Sequence, residues 1–262
     1  MDFWDLLIHN WQLKLLVFSR VIGIFAYNPL LSRNNVPRMV KGGTSVLLAF
    51  ITVSVIGPQD IDFEQMRAGV YLLLMLKEGF VGVVLGFVTN MFFMTVQFGG
   101  DIMDTQSGLG MAKVMDPGSN VQMPVMGSVI VFMLYLYFFV TNAHLSYIKL
   151  FVLSYDMVPL GMGGINPQIG MTIVEYFSVI LMLVVKMAMP IIAAQLLTEF
   201  CIGVIMKSVP QIQIMVVNIQ LKVGLGFVLL YLIAVPLSDF VDKYMATWLE
   251  TLEGIIPHIV SG

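Results

Sequence analysis

Seven ionisable side chains stand inside or at the edge of strongly apolar stretches of this sequence: Arg20, Lys77, Glu78, Glu175, Lys186, Glu199 and Lys222. A charge held at the centre of a bilayer costs about 2.5–3.5 kcal/mol even on a lenient insertion scale, so such groups must face protein or water. Two kinds of chemistry would use them. One is pairing with an opposite charge or a backbone carbonyl inside an assembly, and the other is a relay for an ion or a proton. A relay needs several carboxylates in register, whereas Glu78, Glu175 and Glu199 stand on different segments. Glu175 and Lys186 are 11 residues apart, close to three helical turns, and so project from nearly the same helix face. Pro190 is expected to kink or end that helix. Charges buried at subunit contacts are therefore the expectation for all seven.

Enzyme constellations are absent. The sequence has no Gly-x-Ser-x-Gly, no His-Glu-x-x-His and no phosphate loop, and Cys201 sits in the apolar run FCIGVIM, where an unreactive buried thiol is the default. His9, His144 and His258 are scattered, so neither a metal nor a cofactor is expected. A net charge of −3 without a basic run excludes the electrostatic footprint of a nucleic-acid binder. The chain reads as a non-enzyme.

The elements that must hold these charges are apolar helices. Of 262 residues, 58% are apolar and only 11% charged, and the mean hydropathy is +0.91, which a soluble domain with a charged shell does not reach. Apolar segments fall at roughly 13–31, 44–57, 70–98, 125–140, 145–160, 171–197 and 212–237. A span needs about 20 residues, so 44–57 and 145–160 are short and 70–98 and 171–197 are over-long. Such uneven lengths do not suit a simple serpentine. The N-terminus carries two acids and no basic region before its apolar stretch, which argues against a cleaved signal peptide.

Between two of the greasiest segments lies GGDIMDTQSGLGMAKVMDPGSNVQMP, residues 99–124. Its five glycines offer backbone conformations that other residues avoid, and Asp116-Pro117-Gly118 is a strong turn signal. The stretch from Gln106 to Met115 is too glycine-rich to span and too poor in charge to be a solvated tether. Irregular backbone at membrane depth is tolerated only where protein or an aqueous cavity surrounds it. Met103, Met111, Met115, Met123 and Met126 add flexible apolar side chains able to close around objects of changing shape. A constriction fits this composition, and a surface loop packed on its neighbours is the alternative.

Loop charges give a topology. The connection 32–43 holds Arg33, Arg38 and Lys41 with no acid, which favours the cytoplasmic side, whereas 58–67 holds Asp60, Asp62 and Glu64 against one arginine. Gly82 and Gly86 make a small-xxx-small pair for close helix approach, and Gly224 and Gly226 are read the same way. Near the C-terminus, Leu237, Val241, Tyr244, Trp248 and Leu252 recur at three- and four-residue steps. The polar face opposite that stripe is acidic, the wrong sign for anionic headgroups, so a helix docked on a partner is expected there.

Several motifs in order resemble the FliR family of flagellar type III export proteins, which is related to the T component of injectisomes. They are Phe18-x-Arg20-x-x-Gly23 with Pro29, Pro37 and Lys41, then the central block with Gln106-x-Gly108 and Asp116-Pro117-Gly118-Ser119 through Pro124. NAHL at 142–145, AMPI at 188–191 and VPQIQI at 209–214 follow. The match runs along nearly the whole chain. It departs where the family pattern has Pro-Gln-x-Asn followed by Phe, since here Gln213 and Met215 stand instead.

The resemblance implies an all-α, membrane-associated subunit of helical hairpins, like a fusion of a FliP-like and a FliQ-like subunit, assembled into a helical pore complex. Its implied parts are N-terminal helices over 1–98, a central plug loop over 99–124, helical hairpins over 125–237 and an amphipathic C-terminal helix over 238–262. The family's plug, carried over to this sequence, is Gln106, Ser107, Gly108, Leu109, Gly110 and Met111, with Ala112, Met115, Asp116 and Pro117 completing it as the chain returns to the next helix. Implied partners are FliP-like and FliQ-like subunits, FlhB-like and FlhA-like export components, the membrane and unfolded protein substrates. The implied place is the bacterial inner membrane at the flagellar basal body. From another functional class, a secondary transporter for ions or small solutes would also use interrupted helices and the Glu175 and Lys186 pair, though it would usually show two matching halves, and no convincing repeat is found.

Overall fold

A computed structural model of the chain describes residues 11–29, 37–56, 66–108, 125–161, 163–208 and 214–261. These residues are helical apart from short connections and one strand pair. In chain order the elements are α1 (Trp11–Tyr27), α2 (Arg38–Ile56), α3 (Ala68–Gln106), α4 (Val125–Val140), α5 (Ala143–Met157), β1 (Gly164–Ile165), α6 (Ile169–Ser208), α7 (Ile214–Ile259) and β2 (Val260–Ser261). The two strands pair antiparallel, Gly164 opposite Ser261 and Ile165 opposite Val260, which fastens the end of α7 to the connection before α6. Asn166 extends the tie by donating its amide to the carbonyl of Ile259 at 3.0 Å.

Several helices are longer than the apolar segments that announced them. The apolar stretch 70–98 becomes a 39-residue helix that runs on through Gly99 and Gly100 to Gln106. Pro190 does not end α6, a 40-residue helix that runs on to Ser208. The C-terminal stripe belongs to the same helix as the apolar segment before it, a 46-residue α7. Among the described residues, three helices could cross a membrane by length and composition, α2, α3 and the part of α6 from Ile169 to Ile205, or up to five if each of two bent helix pairs is one span.

Contacts divide the described residues into two units. The first comprises those of Met1–Phe92, His144–Tyr176 and Trp248–Gly262, and the second those of Phe93–Ala143 and Phe177–Thr247. In the first, α1 buries Leu13, Leu16, Val17, Arg20, Val21, Gly23 and Ile24, an i, i+3, i+4, i+7 face. That face meets α3 at glycines. A Cβ on Gly23 would fall on the carbonyl oxygen of Gly79, one on Gly82 would fall on that of Arg20, and one on Gly86 would lie 2.6 Å from that of Ile24. Trp248 and Leu252 of α7 are buried here too, with the Trp248 ring stacked on Tyr147 at 5.3 Å, so this part of the C-terminal stripe is covered by the chain itself.

Candidate functional site at the base of the central segment

The second unit holds both described ends of the central segment. On the last turns of α3, Gly99, Gly100, Met103, Asp104 and Ser107 recur at steps of one, three and four residues and are all buried. The absence of side chains at the two glycines is what lets other elements reach α3. A Cβ on Gly100 would collide with the backbone of Gly127 on α4, and one on Gly99 with Cγ1 of Val184 on α6. Beyond that crossing, Oδ1 of Asp104 accepts a hydrogen bond at 3.1 Å from the amide of Met126. That amide lies in the first turn of α4, where no intrahelical partner exists for it, and a carboxylate there also complements the positive end of the helix dipole. Asp104 is 1% exposed and Met126 is fully buried.

One turn further, Ser107 is fully buried and its hydroxyl donates to the carbonyl of Met103 at 2.8 Å. Gly108 then leaves the helix with φ of 76°, a left-handed conformation that glycine adopts without steric cost. Ser107 packs against Gly226 of α7, where an added Cβ would lie 3.1 Å from the serine Cβ and 3.6 Å from Nε2 of Gln195 on α6. Gln195, also fully buried, donates from Nε2 to the carbonyl of Lys222 at 3.1 Å. The Lys222 ammonium pairs with Glu199 at 3.1 Å. Thus α3, α4, α6 and α7 meet where the chain enters and leaves residues 109–124.

Arg20 and Glu78 sit in the first unit, fully buried and paired with each other, Nε to Oε2 at 2.8 Å. Nη1 of Arg20 donates to the carbonyl and the hydroxyl of Ser154, at 3.0 and 3.1 Å, and Nη2 donates to the carbonyl of Val158 at 3.0 Å. The guanidinium carbon lies 4.0 Å from the ring centroid of Tyr155. One cation therefore ties α1 and α3 to the C-terminal end of α5, where the Ser154 carbonyl also accepts the amide of Val158 at 2.9 Å.

The remaining expected residues divide by exposure. Lys77 is half-buried, Lys222 is largely buried beside Glu199, and Glu175, Lys186 and Glu199 are exposed on this chain. Of the expected plug, Gln106 ends α3 half-buried, followed by Ser107 and Gly108. Leu109, Gly110, Met111, Ala112, Met115, Asp116 and Pro117 lie outside the described residues. Gly226 makes a close approach as read from the sequence, but Gly224 does not, since an added Cβ there would meet nothing within 4 Å. Sequence reading missed Asp104, Gly127 and Gln195. Asp104 and Met126 are 22 residues apart with turn-rich sequence between them, and no spacing rule joins an acid at one helix end to the start of the next.

Residues 11–248 match the model of a protein family described as bacterial export proteins, family 1. The chain belongs to this family. It is 28% identical over 246 residues to the flagellar biosynthetic protein FliR of Bacillus subtilis (strain 168), covering 92% of this chain and 93% of that protein. FliR of Escherichia coli (strain K12) is 26% identical over 240 residues, with 92% and 91% covered. The Yop proteins translocation protein T of Yersinia pestis is 25% identical over 247 residues, with 92% and 93% covered. FliR-family membership, with relatives on the flagellar and injectisome sides, makes this chain a type III export-apparatus protein with apolar helices suited to a membrane.

Proposed function

We propose that this FliR-family chain is a core subunit of the flagellar type III export gate, whose central segment lines and seals the pore through which unfolded flagellar proteins are secreted. The observation that carries this reading is the junction at the ends of that segment. Asp104 holds the first turn of α4, Gly100 meets Gly127 backbone to backbone, and Ser107 is wedged against Gly226. A segment that must resist ions at rest yet yield to a passing chain needs fixed ends and an adaptable middle. Residues 109–117 supply the middle. Met111 and Met115 are rotamer-rich and apolar, able to close on one another and then on varied side chains without demanding particular hydrogen bonds.

The partners in this reading are FliP-like and FliQ-like subunits that complete a helical pore around the chain, itself built like a fusion of the two. FlhB-like and FlhA-like components are the neighbours on the export route, and the site is the inner membrane at the basal body. The exposed Glu175 and Lys186 become subunit contacts in such an assembly, since lipid is the costliest surrounding for them.

Deleting residues 109–115 tests the seal. The shortened chain should co-purify with its partner subunits in normal amount and raise ion conductance across membranes that contain the complex. Normal assembly with unchanged conductance would overturn the assignment of the seal.

A further inference from the structure

We infer that Asp104 is the positioning residue of the resting seal, acting through its hold on the first turn of α4. The inference rests on the proposed role of the central segment and adds the device that fixes that segment's ends. Three observations converge on one carboxylate. Asp104 is 1% exposed, an unusual place for an acid, and it spends Oδ1 on a backbone amide contributed by a different helix. The amide it accepts from, that of Met126, is buried in the first turn of α4, beyond reach of that helix's own carbonyls, so loss of the carboxylate removes its partner among the described residues. The neighbouring contact cannot take over the task, because Gly100 and Gly127 touch only as bare backbone and contribute no polar group from a side chain.

The consequence is directional. With the cap in place, the start of α4 and the end of α3 stay together and the segment between them is held at both ends. Without it, α4 can fray from its N-terminus, and its first residues join the segment they should anchor. Charge is not essential to this role, since asparagine caps a helix about as well as aspartate.

The full chain is tested in its native export complex, reconstituted in liposomes and read by potassium leak, with co-purified partner mass as the measure of assembly. Asp104→Ala should assemble normally and raise the leak about fivefold, the population shift that loss of one helix cap implies. Asp104→Asn should keep the native leak, and hydrogen exchange at the amides opening α4 should quicken in Asp104→Ala but not in Asp104→Asn. Equal leak from native and Asp104→Ala complexes overturns the inference. If Asp104→Ala does not assemble, Asp104→Glu replaces it, keeping the charge while displacing the carboxylate by one methylene, and it should leak. Failure of both to assemble while Asp104→Asn does would make Asp104 a folding determinant and overturn the inference as well. A chain lacking residues 109–115, measured in parallel, separates the two levels. Leak from that chain but not from Asp104→Ala sinks only the role of Asp104, whereas leak from neither sinks the seal itself.

Discussion

Arg20 has five N–H donors and a face that can lie against a ring, and its surroundings use both. Glu78, Ser154 and Val158 take the donors and Tyr155 takes the face. Oε1 of Glu78 is buried and makes no hydrogen bond among the described residues, so the pair is not fully satisfied on its acidic side. Such a pair is worth little against a well-packed apolar replacement, but removing one partner strands the other. Arg20→Ala should therefore cost about 3–5 kcal/mol, while a double replacement by Met at Arg20 and Leu at Glu78 should cost clearly less than the sum of the two single changes. Thermal unfolding of the purified complex in a double-mutant cycle measures this, and strictly additive losses would contradict a direct coupling. The sequence could name both residues, because a charge inside an apolar run is conspicuous. It could not name Ser154 or Val158, because backbone carbonyls carry no sequence signature, and the last turn of α5 and the residue after it supply them from more than 130 positions away.

Glycine and proline show how an element can carry a signal that local reading misassigns. Gly99 and Gly100 look like the start of irregular backbone, yet each stands inside α3 and serves as a landing place for another element. A glycine in a helix costs about 1 kcal/mol relative to alanine, a penalty that packing along a 39-residue helix readily offsets. Pro190 lacks an amide to donate, yet α6 passes through it between the buried Ala188 and Ile191. The left-handed residue that follows the end of α4 is Asn142, with φ of 57°, so the NAHL motif marks a helix stop that glycine was not needed to make. Gly82 and Gly86 were legible because their spacing repeats once per turn, and they do sit where α1 and α3 touch. Gly224 has similar sequence surroundings and no neighbour. Gly82→Ala should thus lose at least the roughly 1–3 kcal/mol of an overpacked core, because the carbonyl of Arg20 cannot step aside as a flexible side chain would. Gly224→Ala should be neutral or gain up to about 1 kcal/mol from helix propensity. Accumulation of each variant in the membrane, with its melting temperature in the complex, checks the contrast, and equal effects at the two positions would refute it.

At the scale of the whole chain, the sequence made the class legible through composition and the family through ordered motifs, while the outer surfaces of the helices required coordinates. Val46, Leu47, Ile51 and Val55 are exposed on α2, and Met182, Leu197 and Phe200 on α6, which a surface facing water does not tolerate in such number. A lipid surrounding would account for these side chains but not for Glu175 and Lys186, which α6 also exposes. Each charge would cost about 2.5–3.5 kcal/mol near the middle of a bilayer, enough to oppose much of what the apolar neighbours gain. In the proposed assembly, a partner subunit facing this part of α6 in place of lipid would resolve the conflict. Expressed alone, the chain should give aggregated or short-lived material that co-expression with the FliP-like subunit rescues. Glu175→Leu with Lys186→Leu should shift that balance, improving recovery of the isolated chain from detergent while lowering the partner mass that co-purifies. Size-exclusion profiles and partner stoichiometry read both effects. A monodisperse isolated native chain, or a double variant that retains its full complement of partners, would show that α6 faces lipid and that its charges do not meet another subunit.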